Sequence, residues 1–208
     1  MINKHDDTYL DAMKHILLTG SAASDRTGVG TCRMFGRQDV YDLRRGFPAL
    51  TTKKLAWLAV KSELLWFIEG SGDERRLAEI LHGTRDPANK TIWTSNSTAD
   101  YWKPKAKFDG DLGNVYGVMW RSWPSATGSI DQLTGLIEQI KSQPQGRRHI
   151  LSAWNPGELD NMALPPCHCF AQFYVTALGE LECLFHQRSA DWFLGVPFNI
   201  ASYGLLTH

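Results

Sequence analysis

Cys167, in the run Pro165-Pro166-Cys167-His168, is the residue of this chain best suited to covalent chemistry. The segments Cys169 to Val175 and Leu181 to Gln187 are rich in Phe, Tyr, Val, Leu and Cys. The loop between them, Thr176 to Glu180, carries a glycine, and together they predict a hairpin. Folding it about Leu178 sets Cys167 roughly opposite Ser189 with Arg188 alongside, and a slip of one residue keeps the thiol near the same guanidinium. A neighbouring cation favours thiolate, which is the nucleophilic form. The competing reading is a small inert core cysteine, the usual state of a free thiol. Asn199, in Pro197-Phe198-Asn199-Ile200, reads as buried and is expected on an adjacent strand.

Guanidinium forks with a hydroxyl suit a phosphate dianion, so Arg26 in a glycine-bearing turn, the pair Arg147-Arg148 before a strand, and Arg188-Ser189 are candidate anion binders. Each taken alone also fits a solvated surface arginine. The turn around Arg26 has neither glycine-loop form that cradles nucleotide phosphates. Glu63 lies among Ala59, Trp66 and Phe67; it is either a cavity-facing carboxylate with a raised pKa, fit for proton relay, or the polar edge of an apolar face. Cys167, Cys169, Cys183 and His186 could ligate zinc. In the predicted register, however, Cys183 faces Phe173, about 13 Å along the strand from Cys169, and no metal is expected. The tryptophans read mainly as core; Trp93, in a polar stretch, is the exception kept as a ring platform.

The elements that must position these groups are legible as spacing. Tyr9, Ala12, Met13, Ile16 and Leu17 fall at helical intervals after a capping Asp6-Asp7-Thr8 and before Gly20. Strand-like pieces follow at 32–35 and 39–43. Lys54 to Glu69 predicts a largely buried helix closed by Gly70. Residues 83–113 are polar and irregular, a long functional loop. Ile130 to Lys141 predicts an amphipathic helix, and His149 to Trp154 a strand. The class is mixed α and β, as a single domain over 1–208, with no internal repeat.

With 22 Lys plus Arg against 22 Asp plus Glu, no global field recruits nucleic acid or anionic membrane, and the ligand is expected to be small. There is no apolar leader and no run long enough to span a bilayer, so a cytoplasmic location is expected, with the four cysteines as free thiols.

Seven segments, in order along nearly the whole chain, resemble the thymidylate synthase family. They are residues 25–31, 46–54, 62–70, 109–117, 147–168, 187–191 and 193–203, the last three being highly specific. The resemblance implies an α+β, thymidylate synthase-like fold: a central mixed β-sheet with flanking helices, paired sheet to sheet in a homodimer. It implies one-carbon transfer from methylenetetrahydrofolate to carbon 5 of dUMP through a Cys167 adduct at carbon 6. Arg188 then serves thiolate and phosphate. Arg26, Ser189, Gln187, Arg147 and Arg148 bind substrate, the double arginine reaching the other subunit's site. Asn199 pairs with the pyrimidine, its amide matching uracil rather than cytosine. Glu63 relays protons, Tyr116 assists loss of the carbon 5 proton, and His168 belongs to the surrounding shell. Asp191 and Trp93 meet the pterin, Gly195 lies along the substrate, and Lys53 faces the folate's glutamate tail.

Thr94, Asn114, Met119 and His186 depart from the residues usual in the family (Asp, Pro, Gln and Tyr). These departures keep open a hydroxymethylase, which releases hydroxymethyl-dUMP and tetrahydrofolate. Family members also continue beyond this chain's last residues, so a C-terminally truncated form with weak turnover is expected, and with it a regulatory or RNA-binding dimer partner as the non-enzyme reading.

Overall fold

A computed structural model describes residues 3–24 and 28–208. Arg26 lies outside the described residues. The chain forms two compact units, one of residues 1–56 with 191–206 and 208, the other of 57–190 with 207.

In the first unit, α1 (Lys4–Thr19) is capped by Asn3, whose side chain accepts the His5 N–H at 3.1 Å, and not by the expected Asp-Asp-Thr run. Asp6 is engaged elsewhere: its carboxylate accepts the Thr51 N–H at 2.8 Å and the Thr51 hydroxyl. Tyr9 joins Leu50, Val196 and Ile200 in a core against which Met13, Tyr41 and Trp192 pack. The strands β1 (Ser21–Ala23) and β2 (Thr31–Arg33) pair antiparallel. The strand expected at 39–43 does not form; Leu43–Arg45 is a single 3-10 turn capped by Asp42. Alternating apolar residues without a partner strand leave their backbone groups unpaired, and the alternation alone cannot hold a strand.

The second unit holds α2 (Trp57–Glu69), α3 (Glu74–His82), α4 (Thr94–Ser97), α5 (Tyr116–Arg121), β3 (Trp123–Ser125), β4 (Gly128–Ile130) and α6 (Gln132–Ser142), followed by β5 (Ile150–Ser152), β6 (His168–Val175) and β7 (Leu181–Gln187). Helix α2 starts three residues later than expected and is only half buried. Val60, Leu64, Trp66 and Phe67 face inward while Leu58 and Leu65 are exposed. Gly117 lets α5 come close to α2: a Cβ there would sit 2.5 Å from the Phe67 carbonyl oxygen. Residues 83–113 are packed rather than loose, with Trp93 and Trp102 buried and the Trp102 indole N–H donating to the Asp111 carbonyl at 2.7 Å.

Among the described residues the strands form three small antiparallel sheets, β1-β2, β3-β4 and β5-β6-β7, in place of the expected central mixed sheet. The predicted hairpin is present, with Phe173 opposite Cys183. A bulge between His168 and Phe170 then slips the register by one. Cys167 therefore faces Arg188 and not Ser189, and the Arg188 N–H donates to the Cys167 carbonyl at 2.9 Å. The last helix, α7 (Val196–Thr207), carries Asn199. That corrects the strand expected for Asn199: Pro197 in the first turn preorganises helical φ. Among the described residues no helix is long and apolar enough to cross a membrane.

Candidate active site

The short segment 111–115 runs beside 161–163, with the Ala163 N–H on the Leu112 carbonyl at 2.9 Å and the Asn114 N–H on the Asn161 carbonyl at 2.9 Å. Gly113 permits this approach: its φ is +70°, and a Cβ would fall 2.1 Å from the Asn161 carbonyl oxygen. The pairing delivers Tyr116, at the start of α5, beneath Cys167, four residues beyond Ala163.

The Tyr116 phenol oxygen accepts the Cys167 N–H at 2.8 Å, and the His168 backbone adds a second donor. With both acceptor positions used, its own proton is left to donate. Burial drives the phenol's pKa well above its ordinary value, with the nearby Cys167 charge adding to the effect. A pKa raised in this way favours the neutral hydroxyl over the phenolate. Its ring packs on Phe67 at 5.0 Å, Trp93 at 5.7 Å and the His168 ring at 5.3 Å.

Arg188 braces the loop that carries the thiol. Its Nε donates to the Pro166 carbonyl at 2.9 Å and its Nη2 to the Pro165 carbonyl at 2.8 Å, while Cys167 Sγ lies 3.9 Å from the same Nη2. The guanidinium also lies over the Trp154 ring at 5.4 Å. Arg188 pulls toward the thiolate, as its place beside Cys167 predicts, but burial outweighs that pull. Burial raises the Cys167 pKa, Arg188 only opposes it, and Cys169 raises it further. A raised pKa favours the protonated thiol at neutral pH, and Arg188 limits the penalty of ionising it. Alkylation of Cys167 should therefore accelerate as pH rises above neutrality and slow several-fold in Arg188→Ala; equal rates for the two proteins across pH would remove Arg188 from this role.

Glu63 completes the group. The Trp93 indole N–H donates to its carboxylate at 2.7 Å, and Trp93 in turn packs on Trp66 at 5.8 Å and on Tyr116. Burial raises the Glu63 pKa, with the Trp93 hydrogen bond partly opposing. The direction of that shift favours the relay carboxylate over the polar edge, the two readings left open by the sequence. Trp93 itself is 6% exposed, which corrects the expectation of an available ring platform: its face is spent in the core and its N–H on Glu63. Gln187 ends β7 opposite His168, while Ser189, Arg147 and Arg148 are exposed.

In the other unit, the Lys53 ammonium donates to the Phe193 carbonyl at 2.8 Å and stands over the rings of Phe193 at 5.1 Å and Phe198 at 5.5 Å. The Asp191 carboxylate accepts the N–H groups of Phe193 and Leu194 at 3.0 and 2.7 Å, shaping the turn into α7. Gly195 is the N-cap of α7, and a Cβ there would lie 3.5 Å from Asn199 Oδ1.

A family model described as thymidylate synthase matches residues 7–208. The chain belongs to the thymidylate synthase family. Membership brings, at the level of the family, a methyl or hydroxymethyl transfer to dUMP with methylenetetrahydrofolate as cofactor. The structure fits a folate in one respect and not in another. Phe193, 62% exposed, lies under the Lys53 cation, which suits a flat ring system ending in carboxylates, whereas buried Trp93 offers no open face. Among the described residues no group of three or more His, Cys, Asp or Glu is placed to hold a metal ion.

The four departures from the thymidylate synthase pattern all have internal partners. Thr94 donates its hydroxyl to Glu74 at 2.6 Å, where Thr91 and Arg75 also converge. Met119 is 1% exposed. His186 stacks on Phe170 at 5.5 Å. Asn114 donates its side-chain amide to Glu158 at 2.7 Å, and Asn161 donates to the same oxygen at 2.9 Å. Neither α3 nor this Asn114–Glu158 link was read from the sequence. The signal for α3 was there, in Asp73 before and Gly83 after a helical run.

The link predicts a swap. Asn114→Asp sets two carboxylates against each other and should cost about 1 to 3 kcal/mol in a urea titration. Adding Glu158→Gln restores a donor–acceptor pair of reversed polarity and should recover most of the loss. Additive losses in the double variant would mean that the contact is idle.

Proposed function

We propose that this chain is a thymidylate synthase in the strict sense, converting dUMP to dTMP with release of dihydrofolate. The single observation that carries the proposal is the convergence on Cys167 of a braced guanidinium, a phenol held neutral and a buried carboxylate behind Trp93. Cys167 adds to carbon 6 of the uracil ring once its proton has been passed on, turning carbon 5 into an enolate-like nucleophile. Glu63, protonated more readily than an ordinary carboxyl, donates toward the ring carbonyl as charge develops there. Tyr116 holds the Cys167 loop in register and presents its hydroxyl to the proton relay that strips carbon 5. His168 supports the Tyr116 ring. The folate supplies the one-carbon unit and the hydride.

Substrate binding is assigned to Arg188, Ser189 and Gln187 with Arg26 and the Arg147-Arg148 pair for the phosphate, and to Asn199 for the base; Lys53, Asp191 and Gly195 are assigned to the folate side. Asn199→Asp should move preference from dUMP toward dCMP. An unchanged preference removes Asn199 from base reading.

The synthase reading is preferred to the hydroxymethylase because Thr94, Asn114, Met119 and His186, the residues that raised that alternative, are absorbed by contacts inside the protein. Incubation with dUMP and methylenetetrahydrofolate, followed by mass spectrometry of the nucleotide, tests it. Thymidylate with dihydrofolate is expected, and hydroxymethyl-dUMP with tetrahydrofolate overturns it.

The active form is proposed to be a homodimer. The outer face of the β5-β6-β7 sheet exposes Ile150, Tyr174 and Leu184 at 47%, 45% and 45%, beside Arg147 and Arg148. Such a face on a half-buried sheet suits a second copy of itself, and the adjoining arginines would then reach the neighbouring site. Leu184→Glu should yield a monomer by light scattering and lose turnover; a monomeric wild type at assay concentration contradicts the shared site.

A further inference from the structure

Cys169 has no part in the chemistry above, yet it lies two residues from the nucleophile, and both thiols are free and half buried. It is also the extra residue of the bulge that slips the hairpin register. The backbone is clamped on either side of His168. The Cys169 carbonyl accepts the N–H groups of both Ala153 and Trp154, at 2.9 and 3.1 Å, and the Cys167 N–H and carbonyl are held by Tyr116 and by the Arg188 N–H. Cys169 Sγ turns back toward Cys167 and lies 3.8 Å from its carbonyl oxygen. Two strand residues span about 6.6 Å at a rise of roughly 3.3 Å, just inside the Cα separation of about 6.8 Å that a disulfide bridges. A bulge bends the strand and shortens that span. Cys169 also opposes ionisation of Cys167, which places the two sulfurs within electrostatic reach.

We propose that Cys167 and Cys169 form a reversible intramolecular disulfide when the protein meets hydrogen peroxide, and that this switches the nucleophile off without destroying it. The proposal rests on the reading of Cys167 as the nucleophile. The Cys167 thiolate attacks one peroxide oxygen, the O–O bond breaks, and a sulfenic acid and water form. The Cys169 thiolate then attacks the sulfenic sulfur and expels its oxygen as a second water. Two thiols lose two electrons and two protons in all, and the peroxide is reduced. A ring closed over so few residues is strained, which makes the bond easy for a dithiol to reopen and suits a switch better than a staple. Without Cys169, the sulfenic acid has no partner here and proceeds to the irreversible sulfinic acid.

The full chain, with Cys32 and Cys183 changed to serine, is treated with hydrogen peroxide, alkylated and digested. The peptide spanning 167–169 should lose two hydrogens and refuse alkylation, and dithiothreitol should restore both thiols together with dUMP turnover. Cys169→Ala should start with near-wild-type turnover, gain oxygens at Cys167 instead, and recover little on reduction. Sulfinic acid at Cys167 beside an alkylated Cys169 in the parent protein overturns the proposal, as does a disulfide between chains. The peptide masses report the bond whether or not dUMP is the substrate, so failure of the functional reading shows up separately, as absence of product.

Discussion

Cys167→Ser is expected to lower dTMP formation by on the order of 1000-fold or more, about 4 kcal/mol of barrier, while leaving dUMP affinity within a few-fold of wild type. The serine hydroxyl keeps the volume and the backbone contacts to Tyr116 and Arg188, which use the Cys167 N–H and carbonyl and not its sulfur. What it loses is an atom that can carry negative charge at accessible pH. The cysteine is itself short of that condition at rest, because burial raises its pKa against the pull of Arg188. A serine, far less acidic, has no route to the anion from the same three neighbours. Steady-state turnover and equilibrium dUMP binding, measured side by side, check both halves. Turnover within a few-fold of wild type removes covalent catalysis from the account.

Glu63→Gln is expected to lower turnover by roughly 10²- to 10⁴-fold and at the same time to raise stability at neutral pH. The amide keeps the acceptor for the Trp93 N–H and the shape of the site, but it cannot pass a proton. The stability sign follows from the raised pKa. Between the unfolded value of about 4.3 and the higher folded value, the native state holds more protons than the unfolded state, so stability falls as pH rises through that window. Above the folded value the full penalty of a buried carboxylate is present, and glutamine does not incur it. Each kcal/mol relieved should raise Tm by about 2 to 4 °C for a chain of this size, with the gain shrinking in acid. Wild-type turnover should fall on the alkaline side as Glu63 ionises, and that limb should vanish in Glu63→Gln. A variant both inactive and less stable would make Glu63 a packing residue.

The β6-β7 hairpin was legible because two aromatic and β-branched runs flank a five-residue turn, and the pairing of Phe173 with Cys183 follows from the turn's centre alone. The bulge at Cys169 was not, since the N–H groups of Ala153 and Trp154, just past β5, both meet its carbonyl, a tertiary contact that no local pattern announces. Asn199 was misread as strand because a short apolar run has no decisive period, and the first-turn proline, which does mark a helix, was passed over. Glu63 could be recognised as unusual from its apolar flanks, but its partner Trp93, thirty residues on, required tertiary packing. The state of Cys167 was legible only in part. A nearby guanidinium is visible in a hairpin register, whereas the desolvation that outweighs it comes from the whole surrounding structure.

The central claim is that Cys167 adds to carbon 6 of the bound pyrimidine. A dUMP analogue with fluorine at carbon 5 tests it most directly, because fluorine cannot leave as a proton and the adduct accumulates. After incubation with this analogue and methylenetetrahydrofolate, then denaturation and digestion, the nucleotide should be found on the peptide containing Cys167 and be absent in Cys167→Ser. Thymidylate formation by a protein that never carries nucleotide on Cys167 would contradict the account.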